Sequence, residues 1–388
     1  MQLLPQDLSF PDAEDHLHDL ARVRTGKEDF GDDEYLEGLR VLLASYEEDA
    51  DLSPEGRLVC AGLVLTALCG RLEAQAAMRD HPEHRDLALR PPIIILGLPR
   101  TGTTALHKLL CCDSRHQGLE LWLAQSPMPR PPRARWADHA AYRRCEAQTR
   151  AMYAAAPEMA SIHAMAPDEA DECWNVMRQS FASVTFECVA RVRSYAAWWR
   201  DCDMRAAYRR WADHLRLIGL HEPEKRWVLK DPSHLFALPA LLEVLPDAIL
   251  VMTHRDPVRS IPSVCSLNAT ARSRNDRVPD DEALGREQLD LWVRGIERAL
   301  AVRERRPERF VDVAFGEFVR SPLSVVERIH ARAGVPTDAE AVTGMQEWLA
   351  AHPSPSHAYE ASRFGLVPDL IRERFAGYLS ACDVELED

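Results

Sequence analysis

Apolar residues recur every three or four positions through much of the first 90 residues, a spacing that predicts amphipathic helices. The clearest stretches are LEGLRVLLASYEEDADL at 36–52 and PEGRLVCAGLVLTALCGRLEAQAAM at 54–78. The double proline at 91–92 ends this pattern, and the β-branched run IIILGL follows it. Such a run predicts a strand that is buried on both faces.

The rest of the chain alternates strand and helix patterns. A charged amphipathic helix is predicted at 282–305, a tail helix near 368–382, and a helical insertion rich in Arg, Trp and Ala at 126–222. Three further strands are predicted at 226–230 (RWVLK), 248–254 (AILVMTH) and 309–315 (RFVDVAF). This alternation indicates an α/β fold with a parallel sheet.

Because the sequence shows no internal repeat or low-complexity tract, we expect one domain over residues 1–388. Its parts are a helical N-terminal region at 1–90, an α/β core at 91–335 and a helical tail at 336–388.

The chain carries 47 basic and 61 acidic residues, a net charge of −14, which argues against a general binder of nucleic acid or anionic membranes. No apolar run approaches the ~20 residues of a membrane span, and the N-terminus has no basic-then-apolar signal pattern. We therefore expect a cytoplasmic protein without a membrane span. The ten cysteines form no CxxC pair, so no structural metal site is expected.

The loop at 97–104 (GLPRTGTT) follows the first strand and precedes a helix, a context in which backbone N–H groups and the helix dipole bind phosphate. The spacing of Gly97 and Gly102 matches a nucleotide P-loop, but Thr103 stands where that loop carries Lys. The nearby cation is Arg100, inside the loop. A nucleoside triphosphatase needs the missing Lys, so this class is disfavoured.

With its neighbours, this loop carries a family resemblance. Residues 99–104 (PRTGTT) resemble the 5′-phosphosulfate loop of sulfotransferases that use 3′-phosphoadenosine 5′-phosphosulfate (PAPS). Arg255 at the end of the third strand and Ser263 eight residues later resemble their 3′-phosphate element, and 229–232 (LKDP) resembles their middle strand end. The resemblance spans roughly 91–335, nearest to bacterial small-molecule sulfotransferases and more distantly to tyrosylprotein and carbohydrate types.

The resemblance implies a P-loop-like parallel sheet flanked by helices, PAPS as the cofactor with 3′-phosphoadenosine 5′-phosphate (PAP) as product, and no metal. It implies sulfuryl transfer to a hydroxyl or amine of a small molecule, lipid or glycan. The cofactor-binding residues would be Arg100, Thr101, Gly102, Thr103, Thr104, Arg255 and Ser263.

The acceptor must lose a proton, and several residues are candidates for the base. Glu120 lies 20 residues after Arg100, about where related enzymes place a catalytic Glu. His163 lies among acidic residues of the insertion, and His234 lies near the Lys at 230, as the catalytic His does in cytosolic sulfotransferases. Lys230 itself stands at a strand end, where its ammonium would face the leaving group.

Two alternatives stay open. One is a phosphoryl-transfer enzyme with a P-loop, which would require Mg²⁺. The other is a catalytically inactive protein that binds the nucleotide. No motif identifies the acceptor.

Overall fold

A five-stranded parallel sheet forms the centre of the computed structural model, which describes residues 2–5, 8–157, 164–352 and 361–387. The spatial order of the strands is β2-β3-β1-β4-β5. The strands are β1 (Ile93–Gly97), β2 (His116–Gln117), β3 (Arg226–Lys230), β4 (Ile249–His254) and β5 (Phe310–Ala314). The four predicted strands are therefore confirmed. The two-residue edge strand β2 was not predicted, because so short a segment shows no periodicity.

Helices precede the sheet and connect its strands. In chain order they are α1 (Glu14–Thr25), α2 (Leu36–Glu48), α3 (Pro54–Asp80), α4 (Thr103–Leu110), α5 (Leu121–Gln125), α6 (Ala140–Ala155), α7 (Trp174–Met177), α8 (Thr185–Val189), α9 (Arg193–Asp201), α10 (Arg205–Ile218), α11 (Leu238–Val244), α12 (Pro257–Arg272), α13 (Asp281–Arg305), α14 (Phe315–Arg320), α15 (Pro322–Ala333), α16 (Ala339–Ala351), α17 (Pro368–Arg374) and α18 (Ala376–Ala381). Helices α1–α3 confirm the helical N-terminal region, and α6–α10 lie in the predicted insertion.

Short 3₁₀ segments join several of these helices: Pro11–Ala13, Pro82–Asp86, Arg133–Asp138, Arg178–Ser180, Pro232–Phe236, Pro307–Arg309 and Ala361–Phe364. The helix predicted at 282–305 is α13, which Asp280 caps by accepting from the N–H of Ala283 at 3.0 Å. The predicted tail helix is divided at Phe375 into α17 and α18.

The sheet is covered on both faces. Ile94 and Leu96 of β1 belong to a large apolar cluster with the N-terminal helices and the insertion. Ile93 and Ile95 face a smaller cluster formed with α4, α15 and α16. All five residues of β1 are buried, which explains its uninterrupted apolar run.

Helix α3 runs through the larger cluster. Among the described residues it is the one helix long and apolar enough to cross a membrane, and 56% of its apolar window is buried inside the protein.

Candidate active site

A cleft of about 1690 Å³ opens over the carboxyl ends of the strands, where ligands bind in open α/β sheets. Six of the seven predicted cofactor-binding residues line it: Arg100, Gly102, Thr103, Thr104, Arg255 and Ser263. The seventh, Thr101, is buried beneath the loop. Its hydroxyl donates to the carbonyl oxygen of Leu98 at 2.7 Å and lies 2.5 Å from the hydroxyl of Thr253. Thr101 therefore braces the loop against β4.

The loop at 97–104 has the backbone of an anion cradle. Gly97 has φ 140°, and a Cβ there would lie 2.6 Å from the carbonyl oxygen of Thr253, so glycine is required for this approach to β4. Arg100 and Gly102 have φ 68° and 85°. Helix α4 begins at Thr103, and among the described residues no side chain caps it. Its first N–H groups are thus available to an anion.

Arg255 joins the loop after β1 to the end of β4. Its Nη1 donates to the carbonyl oxygen of Arg100 at 3.1 Å, and Arg100 Nε donates to Ser263 Oγ at 3.2 Å. The Arg255 guanidinium lies over the ring of Phe315, 3.9 Å from its centre. The two cations and the serine that resemble a bisphosphate site are therefore adjacent.

A carboxylate already contacts this guanidinium. Glu387 accepts from Arg255 Nε at 2.7 Å and from Nη2 at 3.0 Å. The Glu387 segment is fixed further, because its N–H donates to Asp256 at 2.9 Å and its carbonyl oxygen accepts from Arg372 at 2.9 Å. The fork of Arg255 thus binds an anion with two parallel bonds, the geometry that suits a carboxylate or a phosphate.

Lys230 lies at the end of β3 and is 2% exposed. The register pairs it with Ile95 of β1, which brings its ammonium to the start of α4. Lys230 Nζ donates to Thr104 Oγ1 at 3.1 Å and to the carboxylate of Glu172. Thr104 and Glu172 both line the cleft, so the ammonium lies between the predicted phosphosulfate loop and an acidic group.

Asp231 directly follows this lysine, and the negative charge of Glu172 acts on its carboxyl group, so we refer to Asp231 and Glu172 as the carboxylate pair. Asp231 is fully buried, and one of its oxygens accepts from the N–H of Ser233 at 2.8 Å. The other oxygen has no hydrogen-bond partner in the described parts of the chain. Burial, together with the negative charge of Glu172, raises the pKa of Asp231 to about 7. A carboxyl group that titrates near neutrality beside a cleft is suited to proton transfer.

Two of the predicted bases do not lie beside Lys230 and Glu172. Glu120 precedes α5 and forms an ion pair with Arg130 at 2.9 Å, and it is not among the residues that line the cleft. His234 is buried against Tyr208 and Trp211, its Nδ1 lies 2.9 Å from the Tyr208 hydroxyl, and burial lowers its pKa to about 3. His163 lies outside the described residues.

Glu172 and Asp231 were not predicted as site residues from the sequence. Asp231 directly follows the predicted strand at 226–230, inside the LKDP segment that resembles a strand end of the family. Glu172 belongs to the acidic stretch PDEADEC, in which no spacing distinguishes one carboxylate from another. The short α7 beside it and the hydrogen bond from Cys173 N–H to the Lys230 carbonyl oxygen, 3.0 Å, bring it to β3.

The other half of the cleft is largely apolar, with a few polar side chains such as Arg178 and Glu187. Its walls come from α3, from the end of α6, from the insertion and from α12. The apolar residues that line it include Val59, Leu63, Met152, Met165, Trp174, Val184, Val264, Leu267 and Trp292.

Comparison with known proteins gives consistent matches. A model described as the sulfotransferase family matches residues 91–339. The curated omega-hydroxy-beta-dihydromenaquinone-9 sulfotransferase Stf3 of Mycobacterium bovis is 26% identical over 301 residues, covering 76% of this chain and 73% of its own length.

Two crystal structures are similar over nearly the whole chain. Sulfotransferase STF1 from Mycobacterium tuberculosis is 39% identical with a TM-score of 0.88, covering 95% of this chain and 100% of its own. Sulfotransferase STF9 from Mycobacterium avium is 30% identical with a TM-score of 0.90, covering 99% of both chains.

Proposed function

Since this chain belongs to the sulfotransferase family, we propose that it transfers the sulfuryl group of PAPS to a hydroxyl group of a small, largely apolar acceptor. One observation carries the proposal. A single cleft holds an uncapped helix N-terminus, a buried lysine that contacts a carboxylate pair, and an apolar wall.

The residues present fit PAPS. The N–H groups at the start of α4, with Thr103 and Thr104, would hold the 5′-phosphosulfate, which helix N-termini favour. Arg255 and Ser263 would hold the 3′-phosphate, and the bidentate contact of Arg255 with Glu387 supports this, since it demonstrates an anion-binding geometry. When bound, PAPS supplies the sulfuryl group to be transferred.

We assign the proton transfer to the carboxylate pair. The Glu172 carboxylate lines the cleft and would take the proton of the acceptor hydroxyl. Because the pKa of Asp231 is raised to about 7, the pair holds one proton below neutral pH. The pair then carries one negative charge instead of two. Lys230 Nζ, bonded to Glu172 and Thr104, would stabilise negative charge that develops on the leaving phosphate oxygen.

The apolar walls of the cleft favour an apolar acceptor. Apolar side chains from α3, α6 and α12 would bury the body of a hydroxylated apolar molecule, with its hydroxyl group directed to Glu172. The relative Stf3 is named for a hydroxylated menaquinone, which supports an acceptor of the isoprenoid type over a glycan. A cytoplasmic location belongs to the same proposal, because all ten cysteines are free, as suits a reducing compartment.

Two measurements test the proposal. PAP should raise the melting temperature by binding to the folded chain, and ATP with Mg²⁺ should not. Labelled PAPS should then transfer sulfate to hydroxylated isoprenoids, with simple sugars as the control acceptors. A larger stabilisation by ATP with Mg²⁺ would favour a phosphoryl-transfer enzyme, and PAP binding without transfer to any acceptor would favour an inactive nucleotide-binding protein.

A further inference from the structure

Three potential metal ligands meet at the amino end of the sheet, on the side opposite the cleft. Asp113 follows α4, His116 begins β2 beside Arg226 at the start of β3, and His330 lies on α15. All three side chains are buried, with at most 4% exposed. One ligand atom from each lies within 4.8 Å of the other two.

In each of the two imidazoles Nδ1 makes a hydrogen bond, so Nε2 is the nitrogen that is available to bind a metal ion. His116 Nδ1 lies 2.9 Å from the carbonyl oxygen of Leu110, which only accepts, so this nitrogen carries the proton and Nε2 presents a lone pair. His330 Nδ1 lies 2.8 Å from the hydroxyl of Thr337. Within the described parts of the chain, neither Nε2 atom has a hydrogen-bond partner. Histidine ligands of metals are oriented by this kind of Nδ1 contact.

Two carboxylates, Asp113 and Asp338, and two guanidinium groups, Arg115 and Arg226, surround the two imidazoles. Asp113 accepts from Arg115 through Nε at 2.9 Å and Nη2 at 2.5 Å, and its Oδ2 lies 3.9 Å from His330 Nε2. Arg115 also lies 3.3 Å from Asp338, so one guanidinium faces two carboxylates. A carboxylate oxygen that accepts from Arg115 keeps a second lone pair for a metal ion.

We propose that Asp113, His116 and His330 bind one divalent transition-metal ion, of which Zn²⁺ is the best match, and that water completes its coordination. Two imidazoles and a carboxylate are ligands that zinc prefers. Ligand atoms of a tetrahedral zinc site lie about 3.4 Å apart, so small side-chain rotations bring these atoms to coordinating distance. The ion would join α4 and β2 to α15 and stabilise that edge of the sheet.

This site departs from the sequence expectation of no metal. That expectation rested on cysteine spacing, whereas these ligands are two histidines and an aspartate contributed by distant parts of the chain. The proposal is independent of the function of the cleft, since the cluster lies at the other end of the strands.

The test uses the purified full chain, dialysed against a chelator and titrated with Co²⁺ and Zn²⁺. One Co²⁺ per chain should bind with visible absorption bands of an ordered, low-symmetry site, Zn²⁺ should displace it, and Zn²⁺ should raise the melting temperature. His330→Gln and His116→Gln should each lower the affinity at least 10-fold. Thr337→Val, which alters only the orienting contact, should lower it about 10-fold.

His81→Gln changes a histidine outside the cluster and should bind the metal like wild type. The cooperative thermal unfolding transition of each variant without metal reports on its fold, so loss of metal binding is separable from misfolding. If wild type binds no metal at micromolar concentration, or if His330→Gln and His116→Gln bind it as tightly as wild type, the proposal is wrong.

Discussion

The proposed phosphate half and the proposed acceptor half of the cleft are built from different parts of the fold. The phosphate half comes from two strand-to-helix loops, where the backbone after β1 and the side chains of Arg255 and Ser263 meet. The acceptor half is assembled from α3, α6, α12 and the insertion, which are far apart in sequence. A phosphate is recognised by a local backbone shape, whereas an apolar body is recognised by the space between packed helices. Lys230, Glu172 and Asp231 lie at the border between the two halves.

The largest effect is expected from removing the proposed base. Glu172→Gln keeps the size of the side chain and removes the carboxylate that takes the proton, so turnover should fall by ~10²–10⁴. PAP affinity should change little, because Glu172 would face the acceptor hydroxyl and not the phosphates of PAP. Turnover numbers and PAP calorimetry on the same variant measure both. Glu120→Gln is the matched control, and if it loses activity while Glu172→Gln does not, the base is Glu120.

The pH profile sharpens the same assignment. The carboxylate pair loses its last proton near pH 7, because burial and the charge of Glu172 raise the pKa of Asp231 to about 7. While the pair shares that proton, Glu172 is only partly ionised, so kcat/KM should rise with pH through about 7. Asp231→Asn removes that carboxyl group, and the remaining step should then lie at lower pH. If kcat/KM of the wild-type enzyme shows no step between pH 6 and 8, Asp231 and Glu172 do not share a proton.

The difference between the two halves explains which residues of the candidate site could be predicted from the sequence. The loop at 97–104, Arg255 and Ser263 lie together in the cleft, as the family resemblance implied, because each follows a strand whose apolar run is visible in the sequence. Their binding of PAPS stays a prediction. Glu172 was not predictable, because its position depends on how the insertion packs against β3. His234 follows Lys230 closely, but the 3₁₀ turn Pro232–Phe236 directs its ring to Tyr208 in the core.

Lys230→Met tests the role of the lysine that lies between the two halves. It removes the ammonium that contacts both Thr104 and Glu172, so turnover should fall by ~10²–10³, the usual effect of losing one preorganised charge. The melting temperature should also fall, because Glu172 loses its partner. Lys225→Met, at a partly exposed lysine paired with Glu222, is the control. Turnover near the wild-type value would show that Lys230 has only a structural role.

Arg255→Ala should affect the phosphate half alone. Truncating a charge that pairs with a bound phosphate costs about 2–4 kcal/mol, so PAP affinity should fall on the order of 10²-fold. At saturating PAPS, the KM of the acceptor should stay constant. Calorimetry with PAP and steady-state kinetics measure the two. Arg286→Ala, at an exposed arginine outside the cleft that pairs with Glu282, is the control. An unchanged PAP affinity in Arg255→Ala, with a lower melting temperature, would make Arg255 structural.

Gly62→Leu should affect the acceptor half alone. Gly62 lines the cleft on α3, and a Cβ there would meet only Leu3, at 3.9 Å, so a larger side chain would extend into the apolar space. The KM of an apolar acceptor should rise about 10-fold, while PAP affinity stays unchanged. Gly377→Leu, whose Cβ would meet nothing within 4 Å, is the control. A loss of PAP affinity in Gly62→Leu would show that the halves are not separate.

The smallest expected effect has the opposite sign and concerns Glu387. Its carboxylate contacts the same guanidinium that the 3′-phosphate would bind, so PAP must displace it. An ion pair that is open to solvent contributes about 0.2–1 kcal/mol, and Glu387→Gln should therefore tighten PAP binding about 1.4- to 5-fold. Calorimetry at low salt gives the clearest measurement, because salt screens the competing pair.

Glu385→Gln is the matched control for this last change, because within the described residues the ion-pair partner of Glu385 is Arg320, at 4.0 Å, and not Arg255. If Glu387→Gln weakens PAP binding while Glu385→Gln leaves it unchanged, Glu387 does not compete with the phosphate. Its contact then holds the Arg255 fork in the orientation that the phosphate requires. In that case the phosphate half, like the acceptor half, depends on residues that are far away in the sequence. The two halves would then differ only in how many such distant residues each of them needs.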